Sequence, residues 1–237
     1  MNVNWADIVD GTWPAARYEK LGPFQLREGR GGGSRVSAAS SVGPLSLKDV
    51  EAAERAMQAM GQKRIFCLRP GDEGLDALLA QRGYDILDPV NIYTCPVKQL
   101  TDVTVPRVTV FTIWEPLAIM REIWAQGGIG PERIAVMERA TGPKTGLLMR
   151  QNDQPAGAGF VAIHDGIGVV HALEILPSHR RQGLGQWAMR AAAIWAQDNG
   201  AHTLGVICTK ANDGANGLYH SLGMQIVGEY HYRVKGD

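Results

Sequence analysis

Cysteine is scarce in this chain of 237 residues: there are three, Cys67, Cys95 and Cys208, set far apart. Their spacing fits no metal-ligand pattern, and an odd count without pairing points to reduced thiols in a cytoplasmic protein that holds no metal. An excess of either charge is also missing. Lys plus Arg and Asp plus Glu both number 24, so the formal net charge is zero. A neutral chain without a basic stripe has no bulk electrostatic reason to bind nucleic acid or an anionic membrane surface, so any anion site must be local. No run approaches the roughly 18 apolar residues of a membrane span. The first twenty residues mix Asp7, Asp10, Arg17 and Glu19 with apolar ones, which is not the pattern of a secretory signal. The glycine cluster 29–33 lacks the Gly-Lys-Ser/Thr that would make it a nucleotide-phosphate loop.

What is present is the composition of an ordinary folded protein, 45% hydrophobic and 20% charged, in a chain long enough for two small domains. Apolar spacing predicts a strand over 35–40, a helix over 47–60, a strand over 64–68, a helix over 75–81 and an extended tail over 85–97. The polar stretch 99–107 reads as a linker. Beyond it the pattern predicts a strand at 108–113, helices at 116–124 and 131–140, and strands at 146–150, 156–164 and 167–176. The last two turns, Asn152-Asp153 and Asp165-Gly166, suit hairpins. A long helix follows over 183–199, then a doubly apolar and hence central strand at 203–209, a short helix at 215–222 and a last strand at 224–234.

The chemistry sits between strand 167–176 and the long helix, in Arg180-Arg181-Gln182-Gly183-Leu184-Gly185. Glycines let backbone approach a ligand closely, and the free N–H groups and dipole of a helix start attract an anion, phosphate above all. Gly183-Leu184-Gly185-Gln186-Trp187-Ala188 formally fits a dinucleotide fingerprint. That pattern needs a glycine almost directly after the strand and several parallel strands later, whereas here six residues separate Leu176 from Gly183 and two strands remain.

Arg-x-x-Gly-x-Gly opening a helix resembles the pyrophosphate loop of the GNAT acetyltransferases. Asn212, Ala215, Leu218 and Tyr219, followed by Leu222-Gly223-Met224, resemble that family's next helix and its boundary with the last strand. The resemblance covers roughly residues 108–237 and implies an α/β fold with a mixed central sheet flanked by helices. It also implies an acetyl-CoA-dependent N-acetyltransferase acting on a primary amine by direct attack. Acetyl-CoA would lie between strands 167–176 and 203–209, with its pantetheine along the edge at Ile175 and Leu176. Its pyrophosphate would rest on Arg180, Arg181, Gln182, Gly183, Leu184, Gly185 and Gln186. A backbone N–H near 174–176 would hold the oxyanion, Tyr219 would protonate the leaving thiolate, and Asn212 would contact the cofactor or order its helix. Glu174 is the favoured general base. It and His171 fall on opposite faces of a regular strand, and only a bulge would bring both to the cleft. The acceptor would be a small-molecule or peptide amine, and nothing in the sequence excludes a homodimer. The competing reading is a catalytically inactive acyl-CoA-binding sensor.

Residues 1–100 repeat the order of the second half. Leu79-Ala80-Gln81-Arg82-Gly83-Tyr84 parallels 218–224, yet the loop position reads Ser41-Val42-Gly43-Pro44-Leu45-Ser46, with no arginine and no second glycine. We read a degenerate GNAT-like N-terminal domain without the cofactor loop, ahead of an active domain at 108–237. An unrelated α/β cap is the alternative.

Overall fold

In a computed structural model, which describes residues 3–236, the chain runs α1 (Trp5–Thr12), β1 (Arg17–Leu21), β2 (Phe24–Glu28), β3 (Ala39–Ser41), α2 (Leu47–Ala59), β4 (Arg64–Leu68), α3 (Glu73–Gln81), β5 (Asp85–Pro96), β6 (Val110–Ile113), α4 (Ala118–Gln126), α5 (Pro131–Arg139), β7 (Lys144–Gln151), β8 (Gln154–His164), β9 (Ile167–Ile175), α6 (Leu184–Asp198), β10 (Thr203–Thr209), α7 (Asp213–Ser221) and β11 (Gln225–Lys235). Local chemistry explains most of these boundaries. Ser46 and Asp49 form a capping box at the start of α2. Pro131 occupies the first turn of α5, where its missing N–H costs nothing. Asn152 and Asp153 both adopt positive φ, as do Asp165 and Gly166, the geometry of two-residue hairpin turns. One expected strand is shorter than 35–40. Gly33 enters at φ 95, Ser34–Val36 form a single 3₁₀ turn, and Ser37 Oγ donates to the Gly33 carbonyl, so extended backbone begins only at Ala39.

Two compact units form, and they interleave along the chain. The larger comprises the segment through Pro14, Ile92–Cys208 and Asp213–Val227; the smaller comprises Ala15–Asn91, Thr209–Asn212 and the segment from Gly228. In the smaller unit the strand order is β1-β2-β3-β4-β11. There β3 and β4 run parallel and β11 lies antiparallel to β4, with His231 opposite Leu68 and Lys235 opposite Arg64. In the larger unit the order is β5-β10-β9-β8-β7-β6, β5 contributing from Ile92 onward. Each unit therefore contains the closing strand of the other sequence half.

The larger unit's core forms where α6 lies on the sheet. Met189, Ala192, Ala193 and Ala196 of α6 pack with Leu147, Val161, Val170, Leu204 and Val206. Alanines let the helix approach closely, and Gly168 of β9 completes the fit: a Cβ there would stand 3.0 Å from Ala196 Cβ and 3.5 Å from Leu204 Cδ1. The smaller unit has its own core of Phe24, Leu26, Val50, Met57, Phe66, Leu75 and Leu79. No helix among the described residues is long and apolar enough to cross a membrane.

Because close-packed interiors resist added volume, Gly168→Val should destabilise the protein by about 1–3 kcal/mol, read as a lower urea midpoint at unchanged m-value. An unchanged midpoint would show that α6 does not seat on β9 this closely.

Candidate active site

Helix α6 begins on a glycine that has to be one. Gly183 is its N-cap, in left-handed conformation at φ 81, and Arg181 just before it has φ 59. The amides of Gln186 and Trp187 both return to the Gly183 carbonyl, at 3.0 and 3.3 Å. The N–H groups of Gly183, Leu184 and Gly185 precede that first bonded turn and have no acceptor within the helix. A helix start of this kind, at the head of fifteen helical residues, presents partial positive charge. Gly185 is needed for a second reason. A Cβ there would stand 2.9 Å from Leu218 Cδ2 of α7 and 3.5 Å from Ile175 Cδ1 of β9, so the helix start is pressed between α7 and the end of β9.

The cleft arises because β9 and β10 part. They pair in parallel from Thr203↔Ile167 through Val206↔Val170, and the register ends there. Beyond it, β9 continues to Ile175 against β8 alone, with Ala158 opposite Glu174 and Gly157 opposite Ile175. The Leu176 amide donates to Ala156 O at 2.9 Å, on the β8 side. Since bonding groups alternate in an antiparallel ladder, the N–H and C=O of Ile175 point the other way, to the open edge. Consistent with that, the Ile175 carbonyl accepts from Arg180 Nε at 2.8 Å.

A bulge interrupts β9 between His171 and Glu174. His171 lies opposite Phe160 and Glu174 opposite Ala158, so Ala172 and Leu173 together face the single residue between them. Ala172 takes φ 49, and its carbonyl accepts from the indole N–H of Trp124 at 2.8 Å. Phe160 and Ala158 share a face, so the bulge brings His171 and Glu174 to one face as well. The two side chains are held differently. His171 is buried beside Trp13, its ring centroid 4.9 Å away, with Nε2 3.0 Å from Thr12 Oγ1. That hydroxyl already donates to Ile8 O, so it accepts from His171, and Nε2 carries the proton. Glu174 Oε1 accepts from Arg180 Nη2 at 2.9 Å, and its Oε2 lies where a Cβ on Gly127, at the end of α4, would come within 2.6 Å. Arg180 is thus engaged with Glu174 and Ile175, while Arg181, Gln182 and Gln186 are exposed at the loop.

Tyr219 lies on α7 and is 4% exposed. Burial, reinforced by Cys208 and Tyr93 beside it, raises its phenol well above the ordinary tyrosine range. Cys208 on β10 is itself pushed up by burial to about 11. Asn212 is the residue before α7, exposed, its amide donating to Thr209 O; it falls with Thr209–Asn212 in the smaller unit. Two residues that shape the site carry no distinguishing sequence signal: Trp124, which bonds the bulge, and Tyr93, whose ring lies 5.3 Å from that of Tyr219.

Residues 115–224 match the model of the acetyltransferase (GNAT) family. The chain is 27% identical over 237 residues, 96% of each chain, to an uncharacterized N-acetyltransferase of Bacillus subtilis, YobR. Among solved structures it resembles a GCN5-related N-acetyltransferase from Kribbella flavida, with TM-score 0.69 and 22% identity over 100% of this chain and 96% of that one. It also resembles a tandem GNAT protein from the clavulanic acid biosynthesis pathway, with TM-score 0.58 and 12% identity over 84% of this chain and 74% of that one.

Removing the indole donor would orphan the Ala172 carbonyl at the bulge. Trp124→Phe should therefore cost about 1–3 kcal/mol in denaturant unfolding, and loss of no more than a few tenths would show that the bulge is held by other means. The parted strands, the bulge in β9 and the glycine-led helix start all lie within residues 115–224, the segment that matches the acetyltransferase (GNAT) family model.

Proposed function

We propose that the protein transfers an acetyl group from acetyl-CoA to a primary amine by direct attack, with no acyl group on the enzyme. The observation that carries this reading is the juxtaposition of unbonded amides at the start of α6 with the edge of β9 left open beyond Val170↔Val206. The residues fit a diphosphate followed by an amide-bearing arm. The amides of Gly183, Leu184 and Gly185, with exposed Arg181, Gln182 and Gln186, would hold the diphosphate. The free edge of β9 offers peptide groups for β-type pairing with the arm, and Leu176, whose own amide bonds Ala156, serves as packing at its end.

In this reading the N–H of Ile175, turned to the open edge, supports the oxyanion. Tyr219 donates a proton to the departing thiolate. Burial keeps its phenol protonated, so the proton is there to give, and the raised proton affinity makes its release to the thiolate the costlier part of the step. Glu174 accepts the amine's proton, directly or through one water, with Arg180 fixing its orientation. Asn212 orders the entry to α7 and approaches the cofactor. His171 is assigned to the fold rather than the reaction, because it is enclosed by Trp13, Phe160 and Thr12. Acceptors consistent with the reading are small-molecule amines, amino acids and peptides. We further propose that residues 1–100 are a degenerate GNAT-like unit and 108–237 the active one. The short β3, followed by Pro44 with no glycine-led helix start, supports the loss of a cofactor site in the first half.

The test is titration of CoA by calorimetry together with thiol release from acetyl-CoA in the presence of a panel of amines. The parent should bind CoA, and Gly183→Val should weaken binding about tenfold or more, because a branched residue at φ 81 strains the loop by about 1–3 kcal/mol. Unchanged affinity in that variant would refute the loop assignment. Tight CoA binding without thiol release for any amine would favour the sensor.

A further inference from the structure

We infer that Tyr93 of β5 is a positioning residue that sets Tyr219 for proton delivery; the inference rests on the acid role proposed for Tyr219. Helix α7 is poorly equipped to hold itself in place. It has nine residues, Asp213–Ser221, and two of them, Gly214 and Gly217, are glycines. Isolated helices this short are marginal in water, and the interior Gly217 costs a further ~1 kcal/mol relative to alanine. Its geometry must come from what it packs against. Leu218 meets the start of α6 near Gly185, and Tyr219 and Leu222 join the core of the larger unit. Those apolar contacts are non-directional and tolerate small rotations of the helix.

Tyr93 supplies directional contacts to the helix itself, while Gln99 Nε2 donates to the Leu222 carbonyl just past its end at 2.7 Å. Tyr93 is fully buried, and its hydroxyl donates to Asn216 Oδ1 at 2.7 Å. That hydroxyl has one proton, so its second contact, with His220 Nε2 at 3.2 Å, has the imidazole N–H donating to the phenol oxygen. Asn216 and His220 are four residues apart and so lie on one face of α7, one turn above the other. A single buried hydroxyl therefore fixes both the rotation and the axial position of the helix that carries Tyr219. The Tyr93 ring adds contacts on the same side, 5.3 Å from the Tyr219 ring at 48° and 5.3 Å from the His220 ring at 87°. All four residues belong to the larger unit, yet Tyr93 comes from the closing strand of the first sequence half. The degenerate half would then serve catalysis through that strand, although it lacks a cofactor loop of its own.

Steady-state kinetics on the full chain, with acetyl-CoA and an amine that the parent turns over, compare Tyr93→Phe, Tyr219→Phe and the double variant. Hydrogen exchange of the α7 amides is followed in parallel. Tyr93→Phe keeps the ring and loses both bonds. It should lower kcat about tenfold with KM for acetyl-CoA within about twofold, and speed exchange across 216–222. The double variant should be no slower than Tyr219→Phe alone within about twofold, because a residue acting through another has nothing left to act on. If Tyr93→Phe does not fold, Asn216→Ala reads the same contact from a partly exposed position, and Asn216→Asp, which keeps the acceptor, should restore most of the rate. Additive losses, a fall in KM-dependent binding without a fall in kcat, or unchanged α7 exchange would overturn the positioning role while leaving the acid role standing. Full turnover by Tyr219→Phe would overturn the acid role itself, and the positioning role with it.

Discussion

The point where β9 stops pairing with β10 governs the rest of the larger unit. Up to Val170↔Val206 the two strands are ordinary parallel neighbours. Two residues later β9 acquires an extra member, Ala172, whose carbonyl is bonded by the Trp124 indole. A bulge adds twist and turns the strand away from its former partner, which leaves a run of peptide groups without a neighbour on one side. Unpaired strand edges are usually a liability that proteins cover. Here the edge lies beside unbonded amides at the start of α6, and together they make one extended surface of hydrogen-bonding backbone.

Side-chain placement follows from the same bulge. Without the extra residue, Glu174 and His171 would project from opposite faces; with it, both turn to the face of α4. Their environments then divide their roles. His171 is enclosed by aromatic rings and bonded to a threonine hydroxyl, as a structural imidazole is. Glu174 keeps one oxygen on Arg180 and the other against Gly127. The arginine of the loop that looked from its position like a phosphate ligand is tied to the candidate base instead, and the loop's remaining cationic side chain is Arg181.

How much of this was legible depended on whether the controlling contact was local. The glycine-led start of α6 was readable because Gly183 sits at a left-handed position and a helix follows directly. The hairpin turns at Asn152-Asp153 and Asp165-Gly166 were readable for the same reason, each residue type tolerating positive φ. The bulge was not: alanine at φ 49 carries no signal, and the indole that holds it comes from 48 residues earlier. Helix α1 and strand β1 lie outside the elements that the sequence pattern predicts. For α1 a local signal existed, Asn4 capping the helix through its side chain, but the segment is short and its apolar face is satisfied by Ile167 and Val169 far along the chain. The interleaving of the two units was illegible in principle, since periodicity identifies β5 and β11 as strands but says nothing about which strand each joins.

The central claim is that amides at the start of α6 and along the free edge of β9 form a single coenzyme A surface. Amide-resolved hydrogen exchange with and without acetyl-CoA tests it most directly. Protection should rise at Leu184, Gly185 and Ile175 together, because a ligand that accepts their bonds must slow their exchange. Protection confined to residues remote from both elements, with these three amides exchanging as before, would contradict the account.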